Sequence, residues 1–354
     1  MSRRIDIRAA RGAGSLYRPL TRRSAIKGGL ALGAGLTVGT FGIIGRASAA
    51  PLTMRFGSDS PIGAPHTKSA LAMKELVESR TSGRVQVTIF PDAQLGGNGP
   101  MANSVKAGTL DAVVASVAII SPAVPEIDVF NLPFLYQDAV EALRVANGPF
   151  GAKITPKVNE AFDCEVVGYT TDGVTELYTK ARPVKKPEDI VGLKVGVSTS
   201  KIQRDTILAF GGIPTVLQIT ANYTSLQTGL INATAKTRPD VIELKMYQVT
   251  KYLTLANLYS MPNLLLVSRK FLDKLTPQDR EVVRAAGLPA CEAQTEAVLA
   301  SEQTALGFLK DHGIETVEVE NLSAFRDKVD GVYKETGDRI GAGLVAEARK
   351  LAST

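Results

Sequence analysis

Three short apolar runs near the start of the globular region constrain the chain most. Leu52-Thr53-Met54-Arg55-Phe56-Gly57, the alternating Val85, Val87 and Ile89, and the stretch from Leu110 to Ala115 all read as strands. Helical patterns separate them, one from His66 to Arg80 and one from Pro100 to Lys106. Thr81-Ser82-Gly83 stops the first helix, and Pro91 ends the second strand. A strand-helix-strand-helix-strand series closes as parallel strands joined by right-handed crossovers, which places the chain in the α/β class.

The pattern then repeats. Helices are expected from Gln137 to Ala146 and from Ala152 to Ala161, with a strand at Glu165 to Tyr169. After Asp172-Gly173 come strands at Glu176 to Lys180, Lys194 to Val197 and Pro214 to Gln218, with helices at Ser200 to Phe210 and Tyr223 to Thr228. The final third reads as largely helical. Thr276-Pro277-Gln278-Asp279 opens a helix, and Pro289 is expected to kink or divide it. Two α/β rounds without a long linker suggest two lobes around a cleft. The loops after the strands line that cleft, since ligands in open α/β sheets sit beyond the carboxyl ends of strands.

The net charge of +6 raises the question of a nucleic-acid partner. Residues 1–50 hold nine Lys or Arg against the single acid Asp6, so the remainder carries −2. No basic face persists there, and no nucleic-acid partner is expected. The basic segment has the layout of an export signal. Arg22-Arg23 precede an uncharged stretch from Gly28 to Gly45, and Ala47-Ser48-Ala49 supplies small residues for cleavage near Ala49. The paired arginines resemble a twin-arginine signal, although Ala25 sits where that motif prefers Phe. The expected location is the periplasm.

The chain has no P-loop, G-x-S-x-G, H-E-x-x-H or C-x-x-C pattern. Gly96-Gly97-Asn98-Gly99 lacks the spacing and the lysine of a nucleotide loop and reads as a turn before a helix. His66 and His312 are the only histidines, too few for a histidine-rich metal site. His66 reads as helix-start polarity or a hydrogen bond between loops. Cys164 and Cys291 could pair in an exported protein, but the favoured reading is two reduced, buried thiols. No catalytic set, metal or cofactor is expected.

One long-range pattern is more specific. It runs through Phe90-Pro91-Asp92-Ala93-Gln94-Leu95-Gly96-Gly97, Gly108-Thr109-Leu110-Asp111 and Phe130-Asn131-Leu132-Pro133-Phe134. It continues through Arg182-Pro183-Val184, Pro187 to Val195, Leu226-Gln227-Thr228-Gly229 and Val249-Thr250-Lys251-Tyr252-Leu253. In this order and spacing the chain resembles the DctP-type solute-binding proteins of tripartite ATP-independent periplasmic (TRAP) transporters, over about residues 52–335. The resemblance implies a two-lobe periplasmic-binding-protein fold with hinge strands and a long domain-crossing helix. With the export signal taken over 1–49, it places lobe I at 51–172 plus 262–301 and lobe II at 173–261 plus 302–354. It further implies a monomeric, non-enzymatic receptor that delivers a small solute to TRAP membrane permease subunits. The rival expectations are an exported enzyme or a sensor subunit on the same fold.

The chain departs from the family where the solute sits. Such proteins usually end the strand after Gly192-Leu193-Lys194 with an arginine that forks onto a carboxylate; here that position is Gly196. A second arginine position is Thr175, and the acidic residue before the retained Tyr223 is Ala221. Asp59 stands at a small or amide position, and Lys236 at an amide position. The resemblance carries over Asp59, Asn98, Ser116, Thr175, Gly196, Ile219 and Lys236 as ligand-lining, with Asp172, Glu176, Ser198 and Tyr223 nearby. Two readings of the solute follow. Either Lys236 or Arg238 replaces the lost arginines and an organic acid is bound, or the solute is neutral or an amine held by Asp59, Asp172 or Glu176.

Overall fold

The computed structural model describes residues 50–352. The export-signal reading of residues 1–49 lies outside them. Among the described residues no helix is long and apolar enough to cross a membrane.

The described residues form eleven strands: β1 Leu52–Gly57, β2 Val85–Phe90, β3 Ala112–Ser116, β4 Cys164–Thr171, β5 Thr175–Thr179, β6 Lys194–Val197, β7 Ile213–Val216, β8 Ala233–Thr237, β9 Tyr252–Tyr259, β10 Pro262–Ser268 and β11 Glu315–Glu318. They form two sheets, ordered β2-β1-β3-β10-β4 and β11-β9-β5-β8-β6-β7. The part of the molecule built on the first sheet is labelled lobe I and that on the second lobe II. β1 pairs parallel with both β2 and β3, as the alternation of strands and helices requires. β6 likewise pairs parallel with β7 and β8.

The final third is largely helical, as expected, but it also holds β9, β10 and β11, which the sequence reading did not pick out. All seven residues of β10 are buried, and the strand runs antiparallel between β3 and β4. A strand covered on both faces shows no alternation, so its periodicity cannot be told from that of a buried helix. Three passages join the lobes. β4 leads into β5 through Asp172-Gly173-Val174, and β9 leads into β10 through Ser260-Met261. These passages run side by side, with Pro262 opposite Thr171 and Tyr259 opposite Thr175.

The third passage is the 35-residue helix Pro277–Asp311, capped by the Thr276 side chain accepting from the Asp279 N–H. It is not divided at Pro289. Val283, Ala286, Ala290 and Cys291 pack into the lobe I core with Met54, Phe56, Met73 and Val77. Leu309, a few turns on, packs with Tyr178, Leu226 and Leu253 of lobe II. Burial along the whole helix outweighs the roughly 3 kcal/mol that an interior proline costs. Cys164 and Cys291 are free and buried, and burial pushes both thiols up to about 12.

Candidate functional site between the lobes

A cavity of about 230 Å³ opens between the two sheets, at the carboxyl ends of β1, β3, β6 and β8. Local hydrogen bonding fixes its rim. After β1, the Ser60 N–H donates to Ser58 Oγ at 3.2 Å, and the Ala93 N–H donates to the Ser58 carbonyl at 3.1 Å. This tight turn presents Asp59. Asn98, at the start of the helix Asn98–Ala107, donates to the Val114 carbonyl at 2.8 Å and accepts from the Ser116 N–H at 3.1 Å. It therefore ties the Gly-rich turn to the end of β3.

On the lobe II side, Gln203 Oε1 accepts from both the Ser198 N–H at 3.2 Å and Ser198 Oγ at 2.7 Å. Thr237 caps the helix Arg238–Glu243 by accepting from the Asp240 N–H at 3.3 Å. Asp240 and Glu243, three residues apart on that helix, both line the cavity. The hinge turn needs a glycine. Gly173 has φ +98°, and a Cβ there would lie 2.3 Å from Glu302 Oε1. That same oxygen accepts from the Val174 N–H at 2.7 Å, which fastens the turn to the long helix.

Charge is concentrated here. His66, in the short turn Pro65–Thr67, places Nδ1 3.3 Å from Glu243 Oε2 and Nε2 3.8 Å from Asp172 Oδ1. Burial favours the neutral imidazole. The Glu243 hydrogen bond and the charges of Asp172, Asp240 and Glu243 outweigh it and raise His66 to about 10. Burial, reinforced by Asp172 and Asp240, lifts Asp59 to about 6. Burial also raises Asp240, against the opposing charge of His66, and lowers Lys236, against that of Asp240. Among the described residues no cluster of His, Cys, Asp or Glu could hold a metal ion.

Eight of the eleven residues singled out from sequence line this cavity: Asp59, Asn98, Ser116, Asp172, Thr175, Ser198, Ile219 and Lys236. Glu176, Gly196 and Tyr223 are not among its lining residues. Glu176 is 2% exposed and accepts from the Ala256 and Asn257 N–H groups at 2.8 and 2.9 Å and from Arg238 at 3.1 Å. Its carboxylate thus fills the irregularity where β9 shifts register against β5. Arg238, the other candidate cation, is held in that pair instead of reaching the cavity. Tyr223 Oη donates to Gln248 at 3.3 Å.

Gly196 is buried, and a Cβ there would stand 2.8 Å from both Asn222 Oδ1 and Ile231 Cδ1. Asn222 holds that place by accepting from Thr234 Oγ1 at 2.8 Å and donating to the Gln218 and Ile219 carbonyls at 3.1 Å. The space in which a side chain at 196 would start is filled. His66, Asp240 and Glu243 complete the charged lining. Sequence reading left Asp240 and Glu243 out and took His66 for a link between loops; their one local signal is the three-residue spacing after Pro239.

Residues 56–339 match the bacterial extracellular solute-binding protein family 7, DctP. The sialic acid-binding periplasmic protein SiaP of Vibrio cholerae is 25% identical, over 84% of this chain and 92% of SiaP. The C4-dicarboxylate-binding periplasmic protein DctP of Rhodobacter capsulatus is 26% identical, over 93% of this chain and 98% of DctP. A TRAP solute-binding protein from Polaromonas, solved with D-erythronate, is 29% identical with a TM-score of 0.80, covering 84% of this chain and 98% of its own. The sugar acid-binding protein of Advenella mimigardefordensis, solved with galactonate, is 26% identical with a TM-score of 0.82, covering 86% and 98%. The chain belongs to the DctP family of bacterial extracellular solute-binding proteins.

Proposed function

We propose that this protein is the extracytoplasmic receptor of a TRAP transporter, exported by its N-terminal segment and cleaved near Ala49. It holds one small polar solute between its lobes and presents the closed, loaded form to membrane permease subunits. Residues 51–172 with 262–301 make one lobe, and 173–261 with 302–354 the other.

One observation carries the reading. The cavity is lined by loops from both sheets and crossed by three hinge passages, so a solute that touches both sides favours closure. Lys236 is its one lining cation among the described residues without an ion pair, and no arginine lines it. The solute is thus held without a guanidinium fork.

The test is a thermal-shift screen of the mature protein against sugar acids, amines and neutral polyols, followed by mass spectrometry of the bound solute. A binder at a hundredfold excess over its Kd stabilises the protein by about 2.7 kcal/mol. Recovery of the solute unchanged supports a receptor; its conversion would replace this reading with an enzyme.

A further inference from the structure

The charge balance of the cavity narrows the class of solute. Its lining holds four carboxylates, Asp59, Asp172, Asp240 and Glu243, against His66 and Lys236. Glu243 is engaged by His66 Nδ1, and Asp172 meets a cation only through His66 Nε2 at 3.8 Å. Among the described residues Asp59 and Asp240 have no cation at ion-pair distance, although His66 acts on both and Lys236 on Asp240 through charge. Buried carboxylates not directly paired are costly. Burial outweighs those charges, and Asp59 and Asp240 hold their protons more tightly than usual.

A second observation is independent of the acids. The His66 side chain is 8% exposed, and its Nε2 is buried without a hydrogen-bond partner. The 3.8 Å to Asp172 is an ion-pair separation but too long for a hydrogen bond. His66 lines the cavity, so its second N–H has an unfilled position there. An acceptor oxygen on the solute would fill it.

Resting on the receptor reading above, we propose that the solute carries an N–H-bearing ammonium seated among Asp59, Asp172 and Asp240, and an oxygen that accepts from His66 Nε2 and Lys236. Amino acids, amino sugars and their acids have this chemistry. A simple sugar acid would bring a further negative charge to a cavity whose acids already outnumber its cations. A quaternary ammonium fits less well. Such groups are held by aromatic faces, and Phe56 is the only Phe, Tyr or Trp in the lining. A primary amine instead offers hydrogen bonds that carboxylates accept at their strongest.

Paired probes that exchange an ammonium for a hydroxyl test this by isothermal titration of the mature protein: serine against glycerate, glucosaminate against gluconate, glucosamine against glucose. In the responding pair the nitrogen member should bind at least about tenfold tighter, a gap of about 1.4 kcal/mol. Asp59→Asn and Asp172→Asn should each remove most of that gap. Asp172 is 38% exposed and makes only the longer of the two His66 contacts, so its variant should lower the unliganded melting temperature less than His66→Ala does. Lys236→Met should weaken serine or glucosaminate but spare glucosamine. Tighter binding of the hydroxyl members would overturn the ammonium assignment and leave the receptor reading intact. Binding of neither series, with a solute lacking nitrogen recovered by mass spectrometry, would likewise overturn the ammonium assignment, whereas conversion of the bound solute would overturn the receptor reading itself.

Discussion

His66 Nδ1 lies 3.3 Å from Glu243 Oε2, and this contact links the turn that follows β1 to the helix that follows β8. His66 follows a strand of one sheet and Glu243 a strand of the other, and both line the cavity, so the pair bridges its two sides. A buried pair of this kind is costly to break, because the remaining partner stays desolvated. His66→Ala should lower unfolding free energy by about 3 kcal/mol at pH 7, read by urea denaturation. It should also expand the empty protein in small-angle scattering. A loss under about 0.5 kcal/mol, the level of an ordinary surface substitution, would show that the pair is a surface contact.

The same environment sets a pH dependence. His66 titrates at about 10 in the folded protein and near 6.5 unfolded. Its stabilising contribution is therefore complete below pH 6.5 and is lost as pH rises through about 10. Nitrogen-15 spectra of the imidazole should show both ring nitrogens protonated at pH 8. A neutral ring at that pH would contradict the assignment.

Asp59 works on the acid side. Its folded value of about 6 exceeds the unfolded value near 4, so the empty protein binds this proton more tightly than the unfolded chain does. Its contribution is complete below about pH 4 and falls as pH rises through about 6. Asp59→Asn should flatten this part of the melting-temperature profile. An unchanged slope would place the titration elsewhere.

Gly196 offers a direct test of the filled space around it. Gly196→Arg should not restore an arginine clamp, because Asn222 and Ile231 meet the first side-chain atom. Overpacking should cost about 1–3 kcal/mol and bring no affinity for gluconate. A stable variant with new carboxylate binding would show that the neighbouring side chains yield.

Glu176 and Arg238 should separate stability from binding. Arg238→Met leaves a nearly fully buried carboxylate without its cation and should cost about 3–5 kcal/mol in denaturation. Neither residue lines the cavity, so solute affinity should change by less than about threefold, within 0.7 kcal/mol. A selective loss of affinity would return the pair to the binding site.

Much of the fold was legible because β1 and β2 alternate and Thr81-Ser82-Gly83 stops the helix between them, signals local to a few residues. β10 was not, because burial on both faces removed its period. The loops at Ser58 to Pro61, Gly96 to Gly99 and Asp172 to Glu176 were read as cleft-lining from their place after strands or turns, and the individual residues came from the family resemblance. Glu176 was misjudged because its partners come from β9 and from the residue after β8, both more than sixty residues on in the chain. The acidic lining was incomplete for the same reason: Glu243 lies 177 residues from His66 in the chain, and Asp240 is similarly far from Asp59, so only the fold brings them together.

The most direct test is a crystal structure of the mature protein purified with its solute. The account predicts a small molecule between the sheets, with nitrogen near Asp59, Asp172 and Asp240, oxygen near His66 Nε2 and Lys236, and no arginine in contact. A solute clamped by Arg238, or bound outside this cavity, would contradict it.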